Sequence, residues 1–181
     1  MSLVKWNFDH AHSSIEFTVR HLLVSKVRGR FTKWTGQLEL DEQDLTRSRI
    51  DVDIDVASVD THEAQRDTHL RSGDFFEAEK HPRMTFKSKR IEEKKGGNLA
   101  VTGDLTLRGT THEVVLDVER GGIVAKDPWG MRRAGFTATA TINRKEFGVS
   151  FNQVLDQGGL ALSEEVAITI EIEATAAADA A

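Results

Sequence analysis

The densest grouping of side chains able to do chemistry is Arg66-Asp67-Thr68-His69-Leu70-Arg71-Ser72-Gly73-Asp74-Phe75-Phe76. His69, oriented by the carboxylate of Asp67 or Asp74, would make a general base. Residues two apart on a helix do not face one another, which weakens Asp67 in that role. No serine stands in a nucleophile elbow, and the chain has no cysteine. The same residues serve better as a lid, with Leu70, Phe75 and Phe76 turned toward an apolar interior and Arg66 and His69 at its rim. No catalytic residue is assigned.

Other candidates are weaker. Asp9, His10 and His12 could be metal ligands, since alternate residues on a strand point the same way. No third ligand can be assigned, so they read as hydrogen-bonding residues at a strand start, and no metal or cofactor is expected. His21 shares parity with Phe17 and Val19 and so points to an apolar face. A buried imidazole there needs a partner, either a backbone carbonyl or the head group of a ligand. Asn143-Arg144-Lys145-Glu146-Phe147-Gly148 reads as a strand end with Phe147 as its apolar anchor. Glycine-rich nucleotide loops and the metalloprotease helix pair are absent.

The elements that must hold these residues are strands. Ile15, Phe17, Val19, His21 and Leu23 alternate with polar residues, as do Ile50, Val52, Ile54 and Val56. The same period recurs at Leu99–Leu107, Val114–Val118, Phe136–Ile142 and Val166–Ile172. Alternation of this kind means one dry face and one wet face. The stretches 30–40 and 84–91 are less clean, and bring the expected strands to eight. Gly29, Asp41–Arg47, Gly96-Gly97-Asn98, Arg108-Gly109, Gly121-Gly122, Asp127-Pro128-Trp129-Gly130 and Gly158-Gly159 supply turns. Connections this short favour antiparallel neighbours.

One segment breaks the pattern. Asp60 and Glu63 have capping-box spacing before a helix expected from about 61 to 71, with Asp67–Arg71 and Glu63–Arg66 pairs along it. Ser72-Gly73 ends the helix, Asp74 starts a turn carrying Phe75 and Phe76, and Pro82 closes an insert of about 61–76.

Bulk composition narrows the possible functions. The 181 residues carry a net charge of −5 and suit one domain, expected over 1–175 with a frayed tail at 176–181. Without cysteine there are no disulfides or thiolate metal sites. No apolar run approaches the roughly 18 residues of a bilayer span. The N-terminus lacks a secretory pattern, so the chain reads as cytoplasmic as written, or periplasmic if a leader was removed. An acidic chain disfavours nucleic acid. Arg20, Lys26, Arg28, Arg30 and Lys33 have no intervening acid, but read as a solvated hairpin.

Strands with one apolar face can close into a barrel or stack as a sandwich. An eight-stranded barrel is just wide enough to be filled by side chains or to hold one small ligand. The small inward residues Gly103, Ala138 and Ala140 leave room for a guest.

The residues resemble the YceI-like family. Trp6, Asp9, His12-Ser13-Ser14, Phe17, His21 and Gly29-Arg30-Phe31 carry the first part of the likeness. Arg66-Asp67-x-His69-Leu70 through Asp74-Phe75-Phe76, then His81-Pro82 and Phe86, carry the second. Gly103-Asp104-Leu105-Thr106-Leu107-x-Gly109-Thr110-Thr111, Gly135-Phe136, Ile142-Asn143-Arg144 and Phe147-Gly148 complete it. The resemblance implies an all-β, eight-stranded, antiparallel closed barrel of extended lipocalin-like shape. It further implies a polyisoprenoid or other long-chain lipid in the interior and, often, a homodimer.

The expected cavity residues are Phe17, Val19, Phe31, Trp34, Ile54, Leu70, Phe75, Phe76, Phe86, Leu105, Phe136 and Phe147, with His21, Arg66 and His69 at the polar end. Burial of the chain, at about 0.8 kcal/mol per methylene, would dominate affinity. The competing readings are a lipid isomerase or cyclase, an oligonucleotide-binding barrel, and a ligand-free structural barrel. The enzyme would need an acid–base pair deep inside, where the inward parity set offers only His21.

Overall fold

The computed structural model describes residues 2–156 and 161–177. The strands are β1 (Val4–Phe8), β2 (Ser14–His21), β3 (Ser25–Phe31), β4 (Trp34–Leu40), β5 (Arg49–Asp55), β6 (Val59–Asp60), β7 (Arg83–Glu93), β8 (Leu99–Leu107), β9 (Thr110–Val124), β10 (Met131–Asn143) and β11 (Glu165–Ala177). Helix α1 (Ala64–Arg71) lies between β6 and β7.

Three staves of the barrel are broken in the middle. β1 and β2 are parted by the 3-10 turn His10–His12, β3 and β4 by Thr32-Lys33, and β5 and β6 by the 3-10 turn Val56–Ser58. With each broken pair taken as one stave, eight staves follow chain order around the ring, every neighbour antiparallel. The ring closes on β11. Its first half pairs with β2, from Ala167 opposite Thr18 to Glu171 opposite Ser14, and its end with β1, at Phe8 opposite Ala174. This is an all-antiparallel closed eight-stranded barrel with one short helix, and closure leaves no long sheet edge exposed.

The expected alternation marks all eight staves but not their full lengths. Val4, Trp6 and Phe8 alternate inside β1, a run too short to stand out before the Asp9–His12 interruption. Residues 25–29 of β3 place glycine where an apolar residue would signal the inner face. At Gly29 a Cβ would lie 2.4 Å from the Phe17 ring, and at Gly103 it would lie 2.5 Å from the Phe86 ring. The expectation that Gly103 leaves room for a guest is therefore corrected, because an aromatic ring from β7 fills that place. At the C-terminus the strand continues to Ala177, and Ala176 is buried opposite Arg132, so order persists past residue 175. The expected turn at Gly158-Gly159 and residues 178–181 lie outside the described residues.

Helix α1 starts later than expected. Glu63 is its cap, accepting from the amides of Gln65 and Arg66, while Asp60 accepts only from the His62 amide. The expected pairs along the helix are replaced by bonds to the barrel rim. Arg71 donates to the carbonyls of Ala57 and Val59. The buried Asp67 accepts from the Thr61 amide at 2.9 Å and its hydroxyl at 2.5 Å. With Leu70 its one large apolar residue, α1 is fastened by polar contacts more than by an apolar stripe.

Candidate functional site

The barrel encloses a cavity of about 540 Å³. Its wall is built from the inward parity sets: Ile15, Phe17 and Val19 of β2, Ile54 of β5, Phe86 of β7, Leu105 of β8, Phe136 of β10 and Ile168 to Ile172 of β11. Phe31, Leu70, Phe75 and Phe76 complete it beneath α1, and His21, Arg66 and His69 also reach the wall.

Two expected wall residues stand elsewhere. Trp34 is on the same face as its cross-strand partner Ile54, but its indole packs against Phe8 at 5.1 Å and His10 at 4.4 Å. The expectation had Trp34 on the wall, and the Phe8 ring stands in front of it. Phe147 is buried in the 3-10 turn Arg144–Phe147, edge-on to His112 at 5.2 Å, so it packs the β10–β11 connection onto β9.

The lid is fixed by a connected set of bonds. Arg66 donates from Nε to the Thr61 hydroxyl and from Nη2 to the Thr61 carbonyl, both at 2.8 Å. Arg108 reaches from the β8–β9 turn to the carbonyls of Gly73 and Gly148. His69 Nε2 donates to Asp74 at 2.8 Å, and its ring stands edge-on to Phe75 and Phe151. Its polar edge thus belongs to Asp74, while its carbon face joins an aromatic cluster. The sequence had Phe75 in this cluster but not Phe151, which comes from an irregular segment with no periodic signal.

The YceI-like domain family matches residues 6–174. The chain belongs to this family. A UPF0312 protein of Staphylococcus epidermidis is 44% identical over 165 residues, 91% of this chain and 93% of that protein. BcnA of Burkholderia cenocepacia superposes with a TM-score of 0.80 at 24% identity, covering 92% of this chain and 99% of that one. A polyisoprenoid binding domain from Saccharophagus degradans superposes with a TM-score of 0.64 at 16% identity, covering 97% and 99%. At those two identities the likeness shows the shared barrel fold.

Among the wall residues of this YceI-like barrel that escaped the sequence reading as site residues, Arg144 is a buried cation, 5% exposed. Phe136, Ala138, Ala140 and Ile142 point inward, but the strand ends at Asn143 and Arg144 begins the 3-10 turn that follows. Its Nε donates to the Ser163 carbonyl, and its Nη1 to the carbonyls of Val149 and Phe151, at 2.8–2.9 Å. Burial holds its pKa below the ordinary guanidinium value, with Glu164 acting in the opposite sense.

The Asp9 grouping also gains a member. Glu173 on β11 brings a third ligating atom within 4.8 Å of those of Asp9 and His12. The guanidinium of Arg133 already fills the space between the acids. It bonds Asp9 at 3.0 Å, Glu173, and Asp127 at 2.8 Å, so this is an ion-pair network centred on an arginine.

Proposed function

We propose that this YceI-like barrel binds a long apolar lipid inside its cavity and holds or carries it without transforming it. The observation that carries the reading is the 540 Å³ interior walled by aliphatic and aromatic side chains. Such a space excludes polar guests, and each methylene buried contributes about 0.8 kcal/mol before chain ordering is subtracted. The polyisoprenoid binding domain from Saccharophagus degradans shares the barrel and supports a polyisoprenoid as guest, and the same apolar wall suits a quinone-like molecule or a fatty-acid derivative. The non-catalytic reading is supported by the wall, which is mainly aliphatic and aromatic; the His69–Asp74 pair at its rim is the acid–base pair that the competing enzyme would use. A homodimer is part of the proposal, tested by light scattering on the purified chain.

Native mass spectrometry of the protein as purified, followed by organic extraction, tests the central claim. An apolar adduct, returned with unchanged mass after prolonged incubation, is expected. A protein that carries no adduct and takes up no lipid offered to it would be a filled structural barrel. Phe136→Asp places a carboxylate on the wall, where an uncompensated charge costs several kcal/mol. The variant is expected to lose the adduct while retaining its far-ultraviolet β signature. Unchanged lipid uptake would remove Phe136 from the wall.

A further inference from the structure

Arg144 is a buried cation whose hydrogen-bonding is incomplete. Its Nε and Nη1 are spent on three backbone carbonyls that shape the segment after β10. Those bonds explain why an arginine pins the connection. They do not explain Nη2, which is buried and has no acceptor among the described residues. These acceptors are neutral carbonyls, and the nearby carboxylate of Glu164 is bonded by Lys145. A buried donor left unmatched is destabilising, and more so when it is charged. An arginine on an otherwise apolar wall is therefore suited to a guest that supplies the missing acceptor together with a negative charge.

The other polar wall residues are less suited: Glu16, Arg49 and Gln153 are solvent-exposed, and the buried Ser48 hydroxyl already accepts from the Asp41 amide. Arg66 has Nε and Nη2 committed to Thr61, and His69 has its outward nitrogen committed to Asp74. His21 is half-buried at the end of β2, where solvent can satisfy it.

We propose that Arg144 recognises the polar end of the lipid, that this end is an anionic oxygen group, a carboxylate or a phosphate, and that the guanidinium turns Nη2, which has no accessible surface in this structure, toward the cavity to bond it. The inference rests on the lipid-binding reading and deepens it. It orients the guest, with the anionic end at the β10–β11 connection and the chain running along the apolar staves. It also sets a preference among apolar lipids of equal length.

Four probes with one hydrocarbon chain test it in competition against a fluorescent lipid: oleate, oleyl phosphate, oleyl alcohol and (Z)-9-octadecene. At least one of the two anions is expected to bind about tenfold or more tighter than the alcohol and the alkene, as a charge-assisted bond predicts. The two anions distinguish carboxylate from phosphate. Arg144→Met is expected to bring the anion-to-alcohol affinity ratio close to one, and Arg144→Lys to restore part of it. If the methionine variant does not fold, the wild-type protein still decides. In an isotope-filtered NOESY spectrum the protons next to the anionic group are expected to contact the Arg144 Hδ protons. Equal affinity for all four probes, or an anionic end found far from Arg144, overturns this inference and leaves lipid binding standing. Failure to bind any probe overturns the lipid reading and this inference together.

Discussion

His12 sits on the outer wall of the barrel and reports on the network that closes it. Its Nδ1 lies 2.9 Å from Asp9, which also pairs with Arg133, and Glu173 stands close by on β11. The hydrogen bond to Asp9 raises the His12 pKa above the ordinary 6.5, and the same bond, with Arg133, lowers that of Asp9 below 3.8. The signs fix a window. The contribution of raised His12 is complete below the unfolded value near 6.5 and disappears as pH rises through its higher folded value. That of lowered Asp9 is complete above the unfolded value near 3.8 and disappears as pH falls through its lower folded value. The pair is therefore strongest between those limits. In an NMR titration His12 should show a midpoint above 6.5, returning toward it in Asp9→Asn. A midpoint unmoved by the substitution would show that Asp9 is not the cause. His12 is exposed and Asp9 half-buried, so the effect on overall stability should be small.

At the scale of the element, the β2–β3 hairpin turns against its own residue types. Leu22 and Leu23 take positive φ, +54° and +59°, inside a turn closed by the Val24 amide on the His21 carbonyl. Two-residue turns of this hand prefer Asn-Gly, because a Cβ in the left-handed region costs about 1–2 kcal/mol per residue. Leu23 and Val24 are moreover 73% and 84% exposed, so burial does not offset the strain. Replacing the pair, Leu22→Asn with Leu23→Gly, should stabilise the protein by about 1 kcal/mol or more in urea unfolding, less the added entropy of glycine. A destabilised double variant would mean that the leucines make contacts that outweigh the strain. Helix α1 shows the opposite economy: its residues are weakly amphipathic, and Asp67, Arg66 and Arg71 hold it through Thr61, Ala57 and Val59. Removal of any one of these bonds should loosen the lid before it unfolds the barrel.

For the whole molecule, the barrel is a closed ring around an apolar space, so its stability and its guest are thermodynamically linked. A lipid present at about a hundred times its dissociation constant adds about 2.7 kcal/mol to the folded state. For a chain of this size that corresponds to roughly 5–10 °C in Tm. Calorimetry should therefore show the extracted protein melting lower than the protein as purified, with the difference restored by adding lipid back. Identical melting before and after a demonstrated extraction would mean that the guest does not occupy the folded interior.

What the sequence by itself determined is the set of faces. Period-two alternation is local, since neighbouring Cβ atoms on a strand point to opposite sides. Six clear runs of it and two weaker ones therefore reveal the staves, and the clear runs reveal inner faces and much of the wall, from Phe17 to Phe136. Arg144 lay beyond the reach of this alternation, because the strand ends at Asn143 and the 3-10 turn that follows has another period. Only the tertiary structure decided what stands in front of each inward residue. Trp34 faces inward yet meets Phe8, and Gly103 is small yet filled by Phe86, because volume is shared among strands distant in the chain. Phe151 and Glu173 joined His69 and Asp9 for the same reason, their positions being set by closure of the ring. Periodicity assigns a side chain to a face, whereas packing between distant segments assigns the space in front of it, and a cavity is made of that space.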